Sequence, residues 1–104
     1  MMINRIQHLC SKNSIQWSLH ALKRMRKRKI TSDEVINCIQ NGEIIEEYPD
    51  DRPLPSCLVL GMADKRILHI VVGCGDEYIS IITAYEPDIT EWEPDFKTRK
   101  ESLS

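Results

Sequence analysis

Glycine is scarce in this chain, with four scattered among 104 residues. A loop that cradles phosphate groups on backbone N–H donors needs clustered glycines, so a glycine-rich nucleotide site is excluded. Close cysteine pairs are missing too. Cys10, Cys38, Cys57 and Cys74 stand far apart, with no C-x-x-C and no paired Cys/His spacing. A structural zinc centre needs ligands held together in pairs, so no metal or other cofactor is expected. Long apolar runs are absent as well. Ile67–Gly75, interrupted by His69, falls far short of a bilayer span. The N-terminal MMINRIQHLCSKN lacks the apolar stretch of a secretory signal. Together these absences lead to the expectation of a cytoplasmic protein without a membrane contact, its cysteines buried thiols. There is also no G-x-S-x-G, no H-E-x-x-H and no carboxylate pair at a telling spacing.

What remains is an ordinary globular composition, 41% apolar and 29% charged. The length fits one domain over 1–104, with a core at about 14–96 and a frayed tail at 97–104. The net charge of −2 hides a polarised distribution. Lys23, Arg24, Arg26, Lys27, Arg28 and Lys29 crowd six positive charges into seven residues, while the acids gather at Glu43–Asp51 and Glu86–Asp95. A clustered cationic surface creates a local field that the whole-chain charge conceals.

Helical spacing of Ile3, Ile6 and Leu9 predicts a short first helix. A second runs to about Lys29, starting either at a Ser18 N-cap or near Ser14, with Trp17, Ala21 and Met25 as its buried stripe. Thr31-Ser32-Asp33-Glu34 restarts a third helix, which Asn41-Gly42 ends. From Glu43 the period changes to two. Strands are predicted at Ile44–Tyr48, Cys57–Met62, Ile67–Val72 and Tyr78–Tyr85, the first two separated by a loop with three prolines. Helices followed by a strand meander give an α+β fold, with the helices on one face of a roughly four-stranded antiparallel sheet. Trp92 and Phe96 are candidate anchors for the tail.

Three groups of residues can carry chemistry. His20, Arg24 and Lys27 or Arg28 form a ridge along the second helix, where guanidinium groups can hold phosphate oxygens while His20 moves protons. Lys23 and Arg26 point away into solvent. The competing reading is a solvated basic helix. His69 shares a strand face with Ile67 and Val71, and a hairpin closed with Val72 opposite Glu77 sets it against Ser80; a structural hydrogen bond is the alternative role. Thr83 and Tyr85 share a face at the end of the last strand, either meeting a substrate or anchoring the packing. This set of His, Arg, Lys, Tyr and Thr suits metal-independent work on a phosphodiester, one group deprotonating a 2′-hydroxyl, another protonating the leaving oxygen, and cations stabilising the charge.

The stretches I-Q-W-S-L-H-A-L-K-R-M-R-K-R-K-I, N-G-E-I-I-E-E-Y-P-D-D-R-P-L-P-S-C-L-V-L-G, I-L-H-I-V-V and I-I-T-A-Y-E-P-D, with Trp92 following, resemble a bacterial family catalogued as a domain of unknown function. The likeness covers roughly Ile15 to Lys100, and the family in turn resembles the RelE/BrnT/MqsR superfamily of toxin components. That implies a RelE-like fold, a metal-independent endonuclease acting on messenger RNA, and a toxin-antitoxin pair whose second member is a small zinc-finger antitoxin-like protein. The family pattern is matched at His20, Arg24, Arg28, His69, Thr83 and Tyr85. On this reading His20, His69, Tyr85 and Thr83 are the catalytic candidates, and Arg24, Arg28 and Lys27 bind RNA phosphate. The acidic overall balance departs from strongly basic ribosome-dependent toxins and favours a free-RNA or a degenerate mode over a ribosome-docked one. The alternative is a non-catalytic module of the same fold, its basic helix gripping a protein partner or nucleic acid. A further option is a homodimer in which the helix meets the acidic tail.

Overall fold

The computed structural model describes residues 2–101. Three helices, α1 (Ile3–Ser11), α2 (Leu19–Lys27) and α3 (Ser32–Asn41), pack on one face of a five-stranded sheet. The strands are β1 (Ile15–Trp17), β2 (Glu43–Tyr48), β3 (Ser56–Ala63), β4 (Arg66–Cys74) and β5 (Ile79–Tyr85), in the spatial order β1-β5-β4-β3-β2. The fold is therefore α+β, but the sheet is mixed rather than a four-strand antiparallel meander. The extra strand, β1, runs parallel to β5, with Ile15, Gln16 and Trp17 opposite Ile79, Ser80 and Ile81. Trp17 belongs to this strand and not to the α2 stripe, which is reduced to Ala21 and Met25. A three-residue strand is too short to show a period, which is why it reads as a helix approach.

Each helix is ended by local chemistry. The Ser18 hydroxyl accepts the Ala21 N–H at 3.0 Å, so α2 starts after Ser18. Its C-terminus carries no glycine. Lys29 takes the left-handed conformation at φ 57°, with Lys29 N–H donating to Arg26 and Ile30 N–H to Met25. That is a Schellman closure made by a lysine, a residue for which the left-handed region costs roughly 1–2 kcal/mol. Arg66 donates to the Lys29 carbonyl at 2.7 Å and holds the turn. The same guanidinium pairs with Glu34, whose carboxylate completes the capping box of α3 with Thr31. α3 then lies so close to β3 that a Cβ on Gly61 would sit 2.1 Å from the Cys38 carbonyl oxygen.

Alternation along β4 sends Leu68, Ile70 and Val72 into the core under the helices and His69 to the opposite face. His69 pairs with Tyr85, not with Ser80. β4 continues through Gly73 and Cys74 before the chain turns, and a bulge between Val71 and Val72 shifts β5 once more. That opposite face is covered by the tail. Trp92 is 1% exposed, bridges to Arg99 and packs edge-on against His69. Glu93 N–H donates to Thr98, Lys100 N–H to Glu91, and Lys97 and Arg99 pair with Glu43 and Glu46 of β2. Residues 97–100 thus continue an ordered hairpin instead of fraying; 102–104 lie outside the described residues. At the other end Ile6, Leu9 and Cys10 of α1 join the core, ahead of residue 14. No helix among the described residues is long and apolar enough to cross a membrane.

Candidate functional site

α2 lies along β5 at the side of the sheet where β1 stops. β1 pairs with residues 79–81, so β5 from Ile82 to Tyr85 forms an outer edge with no strand of the described residues beside it. Arg28 fills that position. Its Nη1 donates to the Ala84 carbonyl at 2.8 Å and to the Thr83 hydroxyl at 3.1 Å. An arginine in the arc of a buried stripe has to find acceptors or solvent, and here the open sheet edge supplies the acceptors. One turn earlier, Arg24 Nε donates to His20 Nε2 at 2.8 Å. His20 therefore accepts through Nε2, which places its own proton on Nδ1.

His20, Lys23, Arg24, Arg26, Lys27 and Arg28 line one groove of about 540 Å3, and all six are exposed. Lys23 and Arg26, expected to point into solvent, border this groove as well. None of the six forms an ion pair with a carboxylate among the described residues. The cationic charge is thus left uncompensated, whereas Arg66, Lys97 and Arg99 are all paired elsewhere. Clustered cations without internal partners suit an external polyanion. The basic last turn of α2 also complements the negative end of its own dipole, which lowers the cost of gathering the charges there.

The candidate residues fall into two groups. His20, Arg24, Lys27, Arg28 and Thr83 come together at the open edge. His69 does not reach it, and Tyr85, half-buried at the end of β5, spends its hydroxyl on His69. His69 is 0% exposed, with Nε2 at 2.8 Å from the Phe96 carbonyl and Nδ1 at 3.3 Å from the Tyr85 hydroxyl. The carbonyl can only accept, so Nε2 carries the proton and Nδ1 accepts from Tyr85. The His69 ring is closed in, whereas Tyr85 is half-buried. Trp92 meets His69 edge-on at 4.5 Å, and Tyr85 meets it at 5.3 Å. Burial holds the His69 pKa below its ordinary value and pushes the Tyr85 hydroxyl up. A neutral, fully enclosed histidine with both ring nitrogens engaged is a structural hydrogen-bonder. Phe96 bends to φ 58° at the carbonyl that receives it.

Sequence reasoning missed the charged residues that build this cover. Arg99 pairs with Glu46 at 2.8 Å and lies 4.6 Å over the Trp92 ring. Its guanidinium holds the Glu46 carboxyl below the usual carboxylate range. Burial raises Tyr48 to about 12, beside the same Glu46. No pattern within the tail points to Glu46, because the pairing spans more than fifty residues of chain.

No curated protein and no solved structure matches the chain. Residues 17–86 match the Domain of unknown function (DUF4258), well over half of the chain. The span takes in both candidate groups, the open edge and the covered His69–Tyr85 pair, and leaves out the tail hairpin. The chain belongs to the DUF4258 family.

Proposed function

We propose that the protein is a toxin-like, metal-independent RNA endonuclease acting on free RNA in the cytoplasm, built on a RelE-like arrangement. The observation that carries this reading is the alignment of His20, Arg24 and Arg28 with Thr83 along the open β5 edge, in a groove whose cations lack internal partners. A bound phosphodiester takes over the donors that Arg24 and Arg28 now spend on His20 and on Thr83. Released from Arg24, His20 Nε2 becomes free to accept the proton of a 2′-hydroxyl. The 2′-oxygen then attacks phosphorus, and the two guanidinium groups stabilise the negative charge that builds on its oxygens. Thr83 donates a hydrogen bond to the same oxygens. The leaving 5′-oxygen takes its proton from water, since His69 is enclosed and the Tyr85 hydroxyl is spent on it. Lys27, Lys23 and Arg26 hold flanking phosphates. A small antitoxin-like protein partner would act by covering this groove.

The test is cleavage of single-stranded RNA by the purified chain in EDTA, with growth and RNA integrity followed on induced expression. His20→Ala should abolish cleavage and leave RNA binding within about twofold. Intact RNA in the presence of folded wild-type protein, together with normal growth, would overturn the reading. The enclosure of His69 favours a second reading, because it leaves one histidine at the groove where acid–base catalysis often uses two groups. In that reading the domain grips a polyanion without cutting it. Salt-sensitive RNA binding that persists in His20→Ala and is lost in Arg24→Ala, with no cleavage by wild type, identifies it.

A further inference from the structure

Two of the four cysteines share one face of adjacent strands. Cys57 of β3 lies opposite Val72 of β4, and Cys74 follows two residues along β4 on the same, helix-facing side. The Cys57 S–H donates to the Cys74 sulfur, and Cys74 donates to the Val72 carbonyl at 3.7 Å. The two sulfurs differ in access. Cys57 is 0% exposed, whereas Cys74 is half-buried and lines a small groove with Arg5, Ile6 and Asp76. Cys10 and Cys38 are buried.

We propose that Cys57 and Cys74 form a peroxide-sensitive dithiol, with Cys74 as the attacking sulfur and Cys57 as the resolving one. The proposal is independent of what the α2 groove binds. The Cys57 S–H, hydrogen-bonded to Cys74, lowers the Cys74 thiol below its ordinary range, while the same contact and burial raise Cys57. Arg5 favours the Cys74 thiolate and Glu47 opposes it. A thiolate beside a donor thiol is the arrangement that makes one sulfur of a pair the nucleophile.

The step balances with hydrogen peroxide as the oxidant. Cys74 sulfur attacks the outer peroxide oxygen, the O–O bond breaks, and one water leaves while Cys74 becomes a sulfenic acid. Cys57 sulfur then attacks the Cys74 sulfur, forming the S–S bond and releasing a second water. Two thiols lose two electrons and two hydrogens, and the peroxide is reduced to two waters. Diagonal neighbours on antiparallel strands sit at roughly 7–8 Å between Cα atoms, and a disulfide needs about 7 Å or less. Cys74 is the last residue of β4, next to the Gly75–Tyr78 turn, so the bond can form by a small inward shift of the strand end.

The experiment treats the reduced full-length chain with hydrogen peroxide at neutral pH and follows intact mass. The expected product is about 2 Da lighter, monomeric, and restored by dithiothreitol. Digestion with trypsin and Glu-C separates Cys38 from Cys57 and should yield one bridged peptide pair, Cys57 to Cys74. In Cys57→Ala, checked for folding by circular dichroism, the mass loss should vanish and Cys74 should trap a dimedone label. On the untreated wild type, iodoacetamide should modify Cys74 at least tenfold faster than Cys10 or Cys38, a measurement that stands even where a variant fails to fold. A bridge to Cys10 or Cys38, a between-chain dimer as the main product, or Cys74 no more reactive than the buried thiols would overturn the proposal.

Discussion

The open edge of β5 and the covered sheet face beside it carry the same kinds of residue and treat them in opposite ways. At the α2 edge, His20 and the arginines are exposed, and no carboxylate of the described residues pairs with them. Under the tail hairpin, His69 is fully buried, each of its ring nitrogens is engaged, and Arg99 is paired with Glu46. A histidine in the first setting can exchange protons with a ligand. In the second it ties three segments together. The comparison shows that side-chain type alone does not mark a site; the state of the partners does. The difference is measurable, because the covered residues should govern stability and the open ones should govern binding.

The largest expected effect is on Trp92, the tail's buried anchor. Trp92→Ala removes a large aromatic from between His69 and Arg99 and should cost about 3–5 kcal/mol, read as a lower urea midpoint. His69→Ala comes next. It leaves a cavity and removes the partner of both the Tyr85 hydroxyl and the Phe96 carbonyl, for a loss of about 3 kcal/mol. If either substitution left stability unchanged, the tail would not be a structural cover for His69.

The pH dependence sharpens the same contrast. Burial depresses the folded-state pKa of His69, so the unfolded chain binds the proton more readily near its ordinary value of about 6.5. The contribution of neutral His69 to stability is complete above that value and declines as pH falls below it, until the folded pKa is passed. Glu46 lies beside it, its pKa held down by Arg99. Its contribution is complete above the ordinary carboxylate range and is lost at lower pH, as the folded pKa is passed. Denaturation at pH 7.5 and 5.5 should therefore show a drop in wild type that His69→Phe lacks. A drop of equal size in His69→Phe would assign it to other groups.

Much of this architecture was legible in the sequence. The Thr31–Glu34 capping signal, the Gly42 stop and the period-two runs place α3 and four of the strands to within a few residues. What was not legible has physical causes. β1 is three residues long and gains its stability from pairing with β5, not from a pattern of its own. The end of α2 has no glycine signal, because Arg66 of a distant strand holds Lys29 in place. The register of His69 depends on a bulge, and a single inserted residue there reassigns every partner beyond it. The α2 ridge was legible because helical spacing fixes i, i+4 and i+8 neighbours without knowledge of the rest of the chain. The covering of His69 was not, since it depends on pairs between the tail and β2.

The smallest stability change should accompany the largest change in binding. Arg24 and Lys27 are exposed and pair with no carboxylate among the described residues, so replacing either by Ala should shift folding stability by no more than about 0.5 kcal/mol. Arg28→Ala removes hydrogen bonds to Thr83 and the Ala84 carbonyl at an exposed edge and should cost about 1 kcal/mol. For RNA the ranking reverses. Each of the three should weaken binding of a single-stranded oligonucleotide, and each phosphate left without its cation should flatten the slope of log affinity against log salt by about 0.7. Lys97→Ala supplies the control, since that cation already pairs with Glu43 and lies outside the groove. It should leave both affinity and salt slope unchanged. If Lys97→Ala and Arg24→Ala weakened RNA binding equally, the attraction would come from overall charge. The uncompensated groove on α2 would then have no special role, and the contrast between the open and the covered histidine would reduce to one of packing.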